Sequence, residues 1–108
     1  KEEQIDLVTP HCGSGPAFVF EIARILIADL EERGISRLGA EKMIKNMLHG
    51  ASSLLLSSSG SPVDLRNMVT SKGGVTAEAL DVLKEGNLEE VFKKAISKAY
   101  QRAKDLSH

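Results

Sequence analysis

The stretch AFVFEIARILIADL, residues 17–30, decides the fold. Eleven of its fourteen residues are apolar, and at 3.6 residues per turn they occupy nearly the whole circumference of a helix. Pro16 suits the first turn because its φ is fixed and it has no N–H to leave unbonded; GSG stands just before it and Gly34 marks the end. Glu21, Arg24 and Asp29 interrupt the run, which is also shorter than the roughly 20 residues of a bilayer span. A helix apolar on all sides must be covered on most of them. Four or five helices of one short chain cannot provide that cover, so a second copy of the chain is expected to supply it.

Outward from this helix, only helical periodicity is found and no period-2 strand. A second helix is predicted from about Gly39 to Ser57, with Met43, Ile44, Met47, Leu48, Ala51, Leu54 and Leu55 at helical spacing. Residues 57–61, SSSGS, read as a turn. Ser61, Pro62 and Asp64 then form a helix-start signature for a short helix to about Met68. A glycine-containing loop, TSKGGVT, residues 70–76, leads into a helix from Thr76 to about Lys84 that stops at Gly86. Asn87 with Glu90 is expected to cap a last helix to about Lys104. On it Phe92, Ile96, Ala99, Ala103 and Leu106 form a narrow seam, and Ala95, Ala99 and Ala103 keep one stripe flat. The expectation is an all-α domain of five helices.

At 108 residues the chain is long enough for one domain and too short for separate cofactor and substrate domains. It opens on charged KEEQ without an initiator Met, which reads as an interior cut in a longer protein. Fourteen basic and fifteen acidic residues leave a net charge of −1, so no basic field favours nucleic acid or an anionic membrane. With aromatics at 4% and no Trp, stacking on bases is not available either. Cys12 is the only cysteine, which excludes an internal disulfide and points to a reducing, cytoplasmic compartment. No stretch resembles a signal peptide.

The usual catalytic patterns fail one by one. His11, His49 and His108 are scattered, and no cluster has metal-ligand spacing, so no metal is expected. CGSGPAF contains G-S-G but neither the full G-x-S-x-G pattern nor a preceding strand, as a serine hydrolase elbow requires. Lys72 precedes Gly73, the reverse of a P-loop, and Phe18 stands where the third glycine of a dinucleotide fingerprint would fall. Two loops remain, HCGSGPAF and TSKGGVT, each expected to end at a helix N-terminus where free amides favour an anion. Adjacent Gly73 and Gly74 allow positive φ and converging N–H groups. Neither loop carries an obvious general acid or base, which suits holding a carboxylate while a cofactor bound elsewhere does the chemistry. The plainer reading of TSKGGVT is a turn that reverses the chain.

Together the two loops and the helices between them resemble the C-terminal domain of pyrroline-5-carboxylate reductase. The family's S-G-S-G-P-A-[YF] signature stands here as CGSGPAF, residues 12–18, after IDLVT; its V-[TS]-S-P-G-G-[TA]-T stands as VTSKGGVT, residues 69–76. The likeness covers essentially the whole chain, and both signatures at this separation are a specific match. It implies an interlocked dimerisation domain of the 6-phosphogluconate dehydrogenase C-terminal-like type, a homodimer or higher homo-oligomer, with an N-terminal Rossmann domain outside this chain that binds NADPH or NADH. It further implies reduction of 1-pyrroline-5-carboxylate to L-proline, the last step of proline biosynthesis. By the same resemblance Ser71, Gly73, Gly74 and Val75 hold the substrate carboxylate, and Thr76 bonds the ring nitrogen as the catalytic position. Glu2 and Met68 lie towards the cofactor. Lys72 replaces the family's loop proline, and Cys12 and Phe18 each remove a hydroxyl. A non-catalytic helical association module, a diverged paralogue and a related oxidoreductase with another imine or keto substrate are the alternative readings.

Overall fold

The computed structural model describes residues 2–70 and 74–107. Six helices follow one another: α1 (Glu2–Val8), α2 (Gly15–Glu32), α3 (Arg37–Ser57), α4 (Pro62–Val69), α5 (Val75–Glu85) and α6 (Leu88–Ser107). A π-helical turn, Thr9–Gly13, joins α1 to α2. The described residues contain no strand. All five expected helices are present, within one to three residues of their expected ends. The N-terminal helix and the π turn are additional, and they replace part of what reads in sequence as the loop HCGSGPAF.

Pro10 explains the π turn. It has no N–H to offer the carbonyl four residues back, so the α pattern cannot pass through it and the helix widens by one residue. The wider ladder is visible where Ser14 N–H donates to the Thr9 carbonyl at 3.0 Å. The Thr9 hydroxyl donates to the Ile5 carbonyl at 2.9 Å, giving that oxygen a partner beside the irregular turn.

The chain forms two compact units. The first consists of the chain ends, residues 1–19 and 78–108. Within it α6 packs on the π turn and on α1. Pro10 is fully buried, and Phe18 meets Phe92 edge to face with ring centres 5.7 Å apart. The expected α6 seam is the less exposed stripe of that helix at Phe92, Ile96, Ala99 and Ala103. Leu106 departs from it and is exposed, while Tyr100 and Lys104 join the half-buried face, with the Lys104 ammonium 5.4 Å from the Tyr100 ring centre.

The second unit covers residues 20–77. Its helix ends follow local rules closely. Gly34, at φ 105°, closes α2: its N–H donates to the Glu31 carbonyl at 3.1 Å and that of Ile35 to the Leu30 carbonyl at 3.0 Å. Ser36 caps α3 by accepting from Gly39 N–H at 3.1 Å. The expected start of α4 is a complete capping box, in which Ser61 Oγ accepts from Asp64 N–H at 3.0 Å and Asp64 Oδ2 accepts from Ser61 N–H at 3.2 Å. Its interior is sparse: Ala40 and Ile44 are buried, whereas Phe20 remains 70% and Leu56 91% exposed.

Asn87 corrects the expectation of a side-chain cap. At φ 62° it takes the left-handed turn position that ends α5, its N–H donating to the Lys84 carbonyl at 3.0 Å. An N-cap residue holds an extended backbone instead, so Asn87 acts here through its tolerance of positive φ.

Candidate functional site

The two loops expected to receive an anion differ in structure. At the start of α2 the donors are already engaged: Pro16 has no N–H, and the amides of Ala17 and Phe18 donate to the Ser14 carbonyl at 3.0 and 3.3 Å. The π turn running into this helix removes the open N-terminus that the sequence suggests. Cys12 is exposed, and the His11 ring is held by the Leu7 carbonyl at 2.7 Å from Nδ1. HCGSGPAF is therefore a packed joint, and its part as an anion loop is withdrawn.

The second loop begins with a firm stop. The Thr70 N–H donates to the carbonyls of Arg66 and Asn67, at 2.9 and 3.2 Å, and its hydroxyl bonds the Arg66 carbonyl as well, closing α4. Ser71 and Gly73, with Lys72 between them, lie outside the described residues, as does the Glu2 side chain. Gly74 follows at φ 81°, a left-handed conformation that costs about 1–2 kcal/mol in a residue with a Cβ. An added Cβ there would meet nothing within 4 Å, so the demand for glycine is one of backbone angle and not of space. Val75 and Thr76 are then the first two residues of α5, Val75 82% exposed and Thr76 half-buried.

This geometry gives Gly74, Val75 and Thr76 one setting. The first amides of α5 have no intrahelical carbonyl to bond, and the helix dipole adds partial positive charge at the same end. The left-handed step at Gly74 turns the chain directly into those amides, and Glu78, in the first turn, faces its own helix's positive end. Such an arrangement can hold a small carboxylate and offer a hydroxyl beside it. Met68, on the last turn of α4, is exposed and available to an apolar surface. Glu2 belongs to the unit formed by the chain ends, whereas Met68 and Gly74 to Thr76 belong to the other unit except for the helix continuing from Glu78.

The described residues contain no strand and no glycine-rich strand-to-helix turn, so they do not fit the pyrophosphate of a dinucleotide. They contain no group of three or more His, Cys, Asp or Glu side chains placed to hold a metal ion. No helix among them is long and apolar enough to cross a membrane. Sequence reasoning missed Asp6, buried and bonded to Ser107. The signal was present in IDLVTP, where a lone carboxylate and a proline one turn later interrupt an apolar run.

Comparison with known proteins places this arrangement. The family profile of pyrroline-5-carboxylate reductase dimerisation matches residues 2–106. The chain belongs to that family. A pyrroline-5-carboxylate reductase of Staphylococcus epidermidis is 35% identical over 107 residues, 99% of this chain and 40% of the relative, and one of Pseudomonas aeruginosa is 35% identical over 106 residues, 98% and 39%. Among solved structures, a pyrroline-5-carboxylate reductase from Coxiella burnetii superposes with a TM-score of 0.92 at 40% identity, covering 98% of this chain and 39% of that one. Plasmodium falciparum pyrroline carboxylate reductase with NADP bound gives 0.92 at 25% identity, covering 100% and 41%. The chain thus spans about two fifths of the length of the relatives it matches.

Proposed function

We propose that this chain is the helical dimerisation and substrate-loop domain, residues 1–108, of a two-domain NAD(P)H-dependent pyrroline-5-carboxylate reductase. The whole enzyme reduces the C=N bond of 1-pyrroline-5-carboxylate to L-proline in the cytoplasm. The observation that carries the reading is the left-handed Gly74 opening directly onto the N-terminus of α5, inside a loop with the family's signature. In this role Ser71, Gly73, Gly74 and Val75 hold the substrate carboxylate through amides and a hydroxyl. Thr76 orients the ring nitrogen so that the imine carbon faces the cofactor. Hydride is supplied by the nicotinamide when it is bound, mainly by a preceding nucleotide domain, with Glu2 and Met68 at the cofactor side. The chain's own part is orientation and charge stabilisation, and the isolated domain is expected to be inactive.

A second copy of the chain completes the domain. A compact monomer of 11.7 kDa exposes about 5,900 Å², and two independent bodies of half that mass about 7,100 Å². This chain exposes 8722 Å². The excess, about 1,600–2,800 Å² per chain on that scaling, is two to three times what one partner buries in an ordinary interface. It is concentrated in apolar side chains, Phe20, Ile25, Leu54, Leu55 and Leu56 among them. An obligate homodimer accounts for this surface.

The test is a full-length assay. The parent protein is expected to oxidise NADPH or NADH only when 1-pyrroline-5-carboxylate is present, and Thr76→Ala is expected to lower turnover about 10²-fold while the dimer persists. A parent that binds the nucleotide but leaves the imine unreduced, or a Thr76→Ala enzyme with wild-type turnover, would overturn the reading. The module alternative predicts a stable dimer with no such activity.

A further inference from the structure

Asp6 is a buried charged side chain, 4% exposed, in a chain whose other carboxylates are mostly exposed. Its oxygens accept from the hydroxyl of Ser107, 101 residues away, at 3.2 Å to Oδ1 and 3.5 Å to Oδ2. The same hydroxyl lies 3.3 Å from the Lys104 carbonyl, and with one proton to give it favours the charged acceptor. A carboxylate is withdrawn from water only at a cost, so its partners must hold it in one place.

The surroundings make that place consequential. On α1 and the π turn, Asp6 and Pro10 are buried one turn apart, while Ile5, Leu7 and Val8 remain exposed. The seat of α1 within this unit is therefore narrow. At the other end of α1, the π turn replaces the continuous α ladder that would otherwise make α1 a stiff extension of α2. Neither broad apolar burial nor helix continuity sets the direction of α1. The contact with the end of α6 does.

We propose that Asp6 is a positioning residue: with Ser107 it locks α1 onto the C-terminal end of α6, and so sets the direction from which the nucleotide-carrying lobe is held over the substrate loop. This rests on the reductase reading. The last turn of α6, remote in sequence from every signature of the family, becomes a determinant of how well the cofactor is presented.

The experiment uses the full-length enzyme with Ser107→Ala, an exposed change that leaves the buried carboxylate in place, and Ser107→Thr, which restores a hydroxyl. Asp6→Asn and Asp6→Ala form a second pair, since the amide oxygen can still accept. Hydrogen exchange of the amides from Ile5 to Val8 and the KM for NAD(P)H are measured, with the dimer verified by light scattering. Ser107→Ala is expected to speed that exchange about tenfold, as a local opening would. It is also expected to raise the cofactor KM about fivefold with a smaller change in kcat, as a displaced but intact site would. Ser107→Thr should recover both. Unchanged exchange in Ser107→Ala refutes the lock, and faster exchange with an unchanged KM refutes the positioning role. A wild-type parent without reductase activity would instead sink the reading on which it rests, while the exchange arm would still test the lock.

Discussion

The unit built from the chain ends and the unit of residues 20–77 satisfy their side chains in opposite ways. In the first, α6, the π turn and α1 meet within one chain, bury Pro10 and Asp6, and set Phe18 against Phe92. In the second, each helix end is well capped, yet the described interior amounts to Ala40 and Ile44, and long apolar faces stay open. Good local signals and a good core are separate achievements. Capping decides where helices start and stop; it contributes about 1 kcal/mol per site and cannot replace an apolar interior.

The sharpest way to break this contrast is to place a charge on the open face. Ile25→Asp is expected to shift the dimer to monomer by at least about 10³-fold in dissociation constant, since an unpaired carboxylate would be sealed in an apolar contact. Sedimentation would register the loss, and hydrogen exchange should show protection falling in α2 and α3 before α6. Equal loss across both units would erase the distinction. Dilution of the unmodified protein should likewise lower its melting temperature, because folding of the second unit is linked to association.

Smaller effects sharpen it. Gly74→Ala forces a Cβ into φ 81° and should cost about 1–2 kcal/mol, or weaken substrate binding equivalently if the loop escapes by changing its angle. Calorimetry and the substrate KM would separate the two results. Ser61→Ala removes half of a capping box and should cost about 1 kcal/mol in the folded dimer, measurable by denaturant unfolding.

The smallest effect is electrostatic. Arg24 lies 2.6 Å from Glu21, and Lys93 lies 3.0 Å from Glu89. In each pair the hydrogen bond to the cation holds the carboxyl below its ordinary value of 4.5. A depressed folded value means that the stabilisation is present above the unfolded value and is lost as pH falls through the folded one. Because both pairs are exposed, acidification from neutral pH should leave stability nearly level until below pH 4.5, and substitution of Arg24 or Lys93 should shift that acid limb only slightly. A pH titration of the unfolding midpoint would check it.

The five principal helices were legible because each carries its own signals: Pro16 and Gly34 around α2, Ser61 and Asp64 at α4, Gly86 after α5. The candidate loop was legible for a related reason, since paired glycines ahead of a helix restrict what the backbone there can do. Asn87 misled because Asn serves both as an N-cap and as a left-handed turn residue, and only its φ distinguishes the two. HCGSGPAF misled because GSG reads as open turn, whereas Pro10 upstream had already diverted the chain into a π turn that engages the next amides.

Periodicity, caps and breakers act over one or two turns of chain, so the order of residues settled where helices run and where a small anion could be received. The partnership of Asp6 with Ser107 could not be found that way, because contacts across 101 residues depend on how α1 and α6 come together. Tertiary structure alone also revealed how few side chains in residues 20–77 are covered. Whether an apolar face is hidden depends on what packs against it, and hydrophobic burial, having no direction of its own, leaves that choice to the assembled protein.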